Sequence, residues 1–362
     1  MEFGLSSDQR LLQDSVARYL ADNCALQHVR DAAAGERSLS LALNAGLVDL
    51  GVSGIVIPAE FGGMGLGLLD AAVLAEALGG RVAPARFVGA HIMAPLAIMS
   101  GGSEAQQETW LPKLASGAVA AAVAVTESVT RRDGAGVTSS HGRLHGTALF
   151  VIDAADADVI VVSDTTGRQH LVATNAVGVE LTPLPTIDKT RSVGELKLSG
   201  AVAEVLPRSG IETTRRVVDA GRVVLAADIL GAGAAMIDQS VTYACQRVQF
   251  GRPIGAFQAV KHMCAEMAAA LEPCRSLVWY AAHAFDEVPE ESALMACHAK
   301  SHLSEVGRFV ARTATEVHGG MGFTDLCGLH YWFKRVGLDR QLLGGPELVR
   351  HEAARLQGWI AA

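Results

Sequence analysis

The stretch "RVQFGRPIGAFQAVKHM" (247–263) sets an arginine, a phenylalanine and a glutamine at fixed offsets around a Gly/Pro-broken turn, between two long apolar stretches. Arg247 brings a planar fork of donors that matches a phosphate. Phe250 brings a flat apolar face, and Gln258 an amide that both donates and accepts. Together these groups suit a dinucleotide: charge on phosphate, ring on ring, amide on a polar edge. On residue types alone, a structural turn with a solvated Arg247 accounts for the stretch as well. "HGGMGF" (318–323) poses the same choice. Gly319 and Gly320 suit a helix C-cap, and they equally let a backbone approach a pyrophosphate or ring closely.

Other chemistries find little support. The twelve histidines show no HExxH or similar ligand spacing, so no metal is expected; His318 by itself reads as an interface histidine. No G-x-S-x-G elbow is present for a serine nucleophile. The glycines of "GGMGLG" (62–67) lack a surrounding βαβ order and read as a tight turn. The six cysteines form no CxxC pair and read as free thiols in a reducing cytosol. The N-terminus has acidic residues and no basic region before an apolar run, so a cytoplasmic chain without a signal peptide is expected. No run of about 18 apolar residues lacks breakers and charges, so no membrane span is expected. A net charge of −8 and the lack of a basic run argue against nucleic acid.

Three kinds of sequence must position these residues. Residues 1–115 carry helical spacing: Leu11, Leu12, Val16 and Leu20 follow the cap pair Ser6/Gln9, and Ser103/Gln106 repeats the device. Residues 116–205 hold short segments rich in Val, Ile, Leu and Thr, punctuated by Gly, Asp and Asn, which read as an antiparallel β domain. Residues 206–362 return to long helices, at about 213–246, 257–285, 290–318 and from about 346. Runs of helices, then strands, then helices predict an α+β chain of three packed parts rather than a doubly wound sheet. Half the residues are hydrophobic and only 5% aromatic, a composition suited to helices packed closely through small side chains.

With these elements in order, the sequence resembles the acyl-CoA dehydrogenase family over nearly its whole length. "PAEFGGMGLGLLDAAVLAEALG", "LPKLASG", "VTES", "RVQFGRPIGAFQAVKHMCAEM" and "EVHGGMGF" resemble its signatures and occur in its order. The resemblance implies an N-terminal helical domain, a middle antiparallel β domain and a C-terminal four-helix bundle. It implies FAD at a subunit interface, an acyl-CoA oxidised between Cα and Cβ, and an electron-transfer flavoprotein or similar acceptor. By similarity, Arg247 would contact the FAD pyrophosphate of a neighbouring subunit with Phe250 beside it, and Gln258 with the Gly319–Gly320 backbone would hold the adenine side. Val125 and Thr126 match positions that touch the flavin ring. Phe150 falls where the family usually has tryptophan, and Ile152 where it often has a hydroxyl.

The departures concern catalysis. The family's V-T-E-P-G-x-G-S-D loop reads "VTESVTRRDGAG" here, and Glu316 stands where glutamine is typical. The glutamate that serves as base in Y-E-G-T-S corresponds to Gly344, and its alternative home, on the helix before the Arg-Phe-Gly corner, corresponds to Gly221. Arg222 next door matches the family's arginine. Three expectations follow: a base relocated to Asp219 or Glu347, a non-catalytic relative, or one subunit of a heteromer, of the kind found in lipid or steroid catabolism, whose second dehydrogenase-like chain carries the base. The third accounts best for a chain that keeps the dinucleotide corner while losing the base.

Overall fold

The computed structural model describes residues 4–360. Residues 1–3 and 361–362, which the expected domain limits include, lie outside the described residues.

The N-terminal part consists of helices α1 (Ser7–Asn23), α2 (Leu26–Ala33), α3 (Arg37–Asp49), α4 (Leu68–Gly80), α5 (Ala94–Gly101) and α6 (Glu104–Ala115). Both expected capping boxes form. Ser6 Oγ accepts from Gln9 N at 3.1 Å while Gln9 Oε1 accepts from Ser6 N at 2.9 Å. Ser103 and Gln106 do the same at the start of α6. Each box satisfies two of the donors that a helix start leaves unpaired. A π-turn over Val88–Met93 leads into α5.

The chain then switches to strands: β1 (Ala121–Ala124), a helical turn α7 (Thr126–Val129), β2 (Gly136–Ser140), β3 (Arg143–Ile152), β4 (Val159–Ser163), β5 (Gln169–Ala173), β6 (Val179–Pro183), β7 (Val193–Val202) and β8 (Glu204–Val205). The sheet order is β6-β7-β3-β1-β4-β5-β8, with β2 on β3. The expectation of a wholly antiparallel sheet needs one correction: β1 and β4 pair in parallel, from Ala121↔Val159 to Ala124↔Val162. Strand β3 lies antiparallel to β1 on one side, and the chain passes over β1 to place β4 on the other. A short reversal across an intervening antiparallel strand leaves the outer strand parallel to it.

The C-terminal part holds α8 (Ile211–Gln246), the two-residue strands β9 (Val248–Gln249) and β10 (Arg252–Pro253), and then α9 (Gln258–Glu287), α10 (Pro289–His318), α11 (Leu329–Gln341) and α12 (Pro346–Leu356). Helices α8, α9, α10 and α11 pack as a bundle, with α12 against α10. Helix α8 is long and apolar enough to cross a membrane by length and composition, but 83% of its apolar window is buried by the surrounding protein, as befits a core helix.

Helix α8 also crosses α4 at closest range. A Cβ on Gly231 would run into the Glu76 carbonyl, and one on Gly79 into the Asp228 carbonyl. Gly231→Ala is therefore expected to cost about 1–3 kcal/mol through overpacking against backbone, measured by urea unfolding; an unchanged midpoint would show that the crossing tolerates a methyl group.

A buried ion cluster joins the three parts. Arg335 of α11 pairs with Asp188 at 2.7 Å and Asp228 of α8 at 3.3 Å, and donates to Thr190 Oγ1 at 2.6 Å and the Ala83 carbonyl at 2.9 Å. Arg191, from the β6–β7 connection, pairs with Asp228 at 2.8 Å and Asp339 of α11 at 2.5 Å. Three carboxylates thus face two guanidiniums. Burial, aided by the Asp228 charge, holds the Asp339 carboxyl above the usual carboxylate range against the pull of Arg191.

Candidate functional site

The corner forms where α8 ends. Arg247 caps that helix, its N–H donating to the Tyr243 carbonyl at 2.8 Å. Strands β9 and β10 are then joined by Phe250 and Gly251, with φ of 51° and 76°. Positive φ at both central residues is the signature of a tight two-residue hairpin turn. That turn holds Phe250 92% exposed. Behind it, Phe257 meets the Phe250 ring edge-on at 6.2 Å and lies under the Arg252 guanidinium at 4.1 Å. Gln258 opens α9 and bonds His262 at 2.8 Å. Arg247 and Gln258 are exposed.

The two glycines lie at the same end of the bundle. His318, at the end of α10, is buried and bonds the Ala314 carbonyl at 2.8 Å; burial pulls its pKa down. Its ring stacks on Tyr243, one turn before Arg247, at 4.6 Å. Gly319 adopts φ 58° and ψ −137°, a backbone that side chains disfavour. A Cβ on Gly319 or Gly320 would meet nothing within 4 Å, so both backbones face open space. Arg247, Phe250, Gln258, Gly319 and Gly320 thus come together as an outward-facing set. Glu316 is exposed close to them in sequence.

The middle-domain residues are placed differently. Val125 and Ile152 are core residues, each 1% exposed. The buried Thr126 hydroxyl donates to the Leu149 carbonyl, and Leu149 N donates to Glu127 Oε1 at 3.0 Å. Phe150 has φ 55°, and the Arg132 guanidinium lies over its ring at 5.0 Å while approaching Glu127 at 3.6 Å. The group that would meet a flavin ring here is therefore already covered by the chain's own arginine. Sequence reasoning passed over Glu127 and Arg132 in this role, because their contacts form only when β3 folds back over α7.

The two glycines at the base positions also meet. A Cβ on Gly221 would lie 2.5 Å from Leu343 Cδ1 and 2.7 Å from Met93 Sδ. Gly344, next to Leu343, has φ 105°, and a Cβ there would lie 3.0 Å from Val349 and 3.3 Å from Val129. Apolar side chains fill the space at both positions.

Beside them, Arg222 is fully enclosed. Its Nε donates to the Leu343 carbonyl at 3.1 Å, Nη1 to Asp219 at 3.3 Å and Nη2 to Glu352 of α12 at 2.7 Å. Cys297 Sγ lies 3.5 Å from Nη1, its thiol pushed up to about 12 by burial. Lys300, also fully buried, donates to the Asp339, Arg340 and Gly344 carbonyls at 2.7, 2.9 and 3.3 Å; burial lowers its pKa to about 7. Sequence reading missed Lys300 and Glu352, since no local pattern marks either one. Of the proposed substitute bases, Glu347 lies at the surface on Arg340 at 3.2 Å, and Asp219 is held by Arg222.

Burial pushes Asp219 up to about 7 against the pull of Arg222, with Glu352 adding to the rise. An acid whose pKa rises on folding from 3.8 gives its full stability below about pH 4 and loses it as pH climbs to about 7, where only the unfolded chain has released the proton. Asp219→Asn should flatten that decline, worth up to roughly 3 kcal/mol. Urea unfolding at about pH 4.5 and 7.5 reads the slope; equal slopes in the two proteins would place the Asp219 proton elsewhere.

Distance separates the two clusters. Gly221 and Arg247 lie on and at the end of one continuous helix, 26 residues apart, or about 39 Å at 1.5 Å per residue. That is longer than an extended dinucleotide. The corner and the base positions of one chain therefore cannot serve the same bound dinucleotide. A surface depression of about 860 Å³ lies apart from both, between α2, residues 187–189 and α11. There Asp325 bonds His330 at 3.1 Å and Tyr331 at 3.0 Å, and neither the corner residues nor those around Gly221 and Gly344 line it.

Comparison with known proteins places this geometry. The family models for the acyl-CoA dehydrogenase N-terminal domain and C-terminal domain match residues 6–118 and 208–356. Acryloyl-CoA reductase (NADH) of Anaerotignum propionicum is 30% identical, over 98% of this chain and 95% of its own. Acyl-CoA dehydrogenase IpdE2 of Mycolicibacterium smegmatis is 29% identical, over 98% and 100%. A chain of the ChsE4-ChsE5 complex from Mycobacterium tuberculosis superposes with a TM-score of 0.91 at 27% identity, covering all of both chains. The family that these matches share is one of FAD-binding oxidoreductases. With both of its helical ends matched by that family's models, this chain belongs to the acyl-CoA dehydrogenase family.

Proposed function

We propose that this chain is one subunit of a heteromeric FAD-dependent acyl-CoA dehydrogenase, and that it presents its α8–α9 corner to the flavin of a partner dehydrogenase-like chain. The observation that carries this reading is the separation of about 39 Å along α8 between an open dinucleotide corner and closed base positions that are both glycine. The corner fits a dinucleotide's phosphates and flat rings: Arg247 and Phe250 are exposed, and the Gly319 and Gly320 backbones face open space. The chain's own flavin side does not fit, since Arg132 covers Phe150 and core packing encloses Val125 and Ile152.

FAD, when bound, takes up the hydride that leaves Cβ of the acyl thioester. Arg247 would hold the pyrophosphate by charge-assisted bonds, Phe250 would exclude water beside it, and Gln258 would orient the adenine side. The α proton would leave to a carboxylate on the partner, because Gly221 and Gly344 have no side chain to take it. An electron-transfer flavoprotein or similar acceptor would reoxidise the complex. The superposition on a chain of the ChsE4-ChsE5 complex supports the two-chain arrangement.

In the assembled complex, Arg247→Ala is expected to weaken FAD retention by about 1.5–3 kcal/mol, the worth of a hydrogen bond to a charged group. Flavin release during dialysis, followed by absorbance, measures it. Undiminished retention would reduce Arg247 to a surface charge. The alternative of a self-sufficient enzyme rests on Asp219, whose raised pKa suits a base; its bond to Arg222 and the packing around Gly221 count against it.

A further inference from the structure

The turn that carries Gly344 is built around a leucine in an unfavourable conformation. Leu343 has φ 56°, in the left-handed region that branched and bulky side chains avoid, yet it is only 2% exposed. Such strain persists where the surroundings over-determine it, and here two buried basic side chains do so. Arg222 of α8 takes the Leu343 carbonyl at 3.1 Å, and Lys300 of α10 takes the Gly344 carbonyl at 3.3 Å together with the last carbonyls of α11. The clamp aims the Leu343 side chain at Gly221, where Leu343 Cδ1 and Met93 Sδ fill the place of a Cβ. From the other side, Val129, Leu348 and Val349 crowd Gly344.

A base must stand within hydrogen-bond reach of the carbon-bound proton it takes. The reacting part of an acyl thioester would therefore have to lie between these two glycine positions. We propose that Leu343 is a built-in plug that occupies this space, shutting the chain's own cleft to aliphatic acyl-CoA whether or not a flavin is near. The proposal rests on the subunit reading above for the identity of the ligand, an acyl thioester, and goes beyond it by naming the side chain that excludes it. It also accounts for glycine at position 221, where a Cβ would fall on Leu343 Cδ1.

The test titrates octanoyl-CoA into the lone chain by calorimetry. Wild-type chain is expected to give no saturable binding up to about 1 mM. Leu343→Gly, which removes the plug and relieves the backbone, is expected to bind at least about tenfold more tightly than that limit. Circular dichroism confirms that the variant is folded; if it is not, Leu343→Ala, which keeps the Cβ, replaces it. Saturable binding by wild type would overturn the plug, and so would a folded variant that still binds nothing. The outcomes separate the two readings. Wild-type binding with partner-dependent turnover would remove the plug and keep the subunit reading. Binding gained by Leu343→Gly, with FAD retention unaffected by Arg247→Ala, would do the reverse.

Discussion

Replacing Arg335 with methionine is expected to lower the unfolding free energy by about 3–5 kcal/mol, the range found when one partner is removed from a buried ion pair. The guanidinium is 1% exposed and makes four contacts, to Asp188, Asp228, Thr190 Oγ1 and the Ala83 carbonyl. Methionine fills a similar volume, so the loss is electrostatic. Asp188 would be left buried without its guanidinium, and Asp228 would keep only Arg191. Because the four partners come from the loop after α4, the β6–β7 connection and α8, the change should also loosen the fit between the three parts. Urea unfolding reads the free energy, and limited proteolysis between 183 and 193 reads the loosening. A change within about 1 kcal/mol would mean that the cluster is compensated by protonation of its carboxylates.

The second large effect concerns catalysis. The lone chain, even supplied with FAD, is expected to dehydrogenate acyl-CoAs slower than a complete enzyme by at least the 10²–10⁴-fold that a positioned general base contributes, as an order of magnitude. Restoring a carboxylate at one position should not recover the rate. Gly221→Glu would drive a Cβ into Leu343 and Met93, and Gly344→Glu would place a side chain at φ 105° against Val349 and Val129. Both variants should lose stability without gaining turnover in a dye-reduction assay. Turnover gained by either one alone would show that the cleft opens more easily than its packing implies.

The long helices and short strands were legible because their periodicity is local. The capping pairs at Ser6 and Ser103 marked two helix starts correctly. Helix α11 was not foreseen, and the reason is physical. Its inward face carries Arg335 and Asp339, whose partners Asp188, Arg191 and Asp228 lie more than 100 positions away, so no local pattern marks them as buried. Likewise the Val- and Ala-rich run from Ala121 ends as a strand at Ala124, and Thr126–Val129 forms a helical turn that strand composition does not record. The parallel pairing of β1 with β4 depends on the chain passing over a strand, which no alternation pattern records.

The candidate site divides in the same way. Arg247, Phe250 and Gln258 lie within twelve residues at one solvent-facing corner, so their types and offsets allowed a dinucleotide beside a plain structural turn, and the family resemblance favoured the first. The glycines at 221 and 344 could be noted as missing carboxylates. That they touch through Leu343, and that Arg222 and Lys300 clamp the turn between them, emerges only from the packing of α8, α10 and α11.

Turnover of an acyl-CoA by the purified chain, alone and then co-purified with a candidate partner dehydrogenase chain, tests the central claim most directly. The chain alone is expected to show no family-level turnover, the complex with the partner to be yellow and active, and replacement of the partner's glutamate base to abolish activity. Robust turnover by the lone chain, abolished by Asp219→Asn, would contradict that claim.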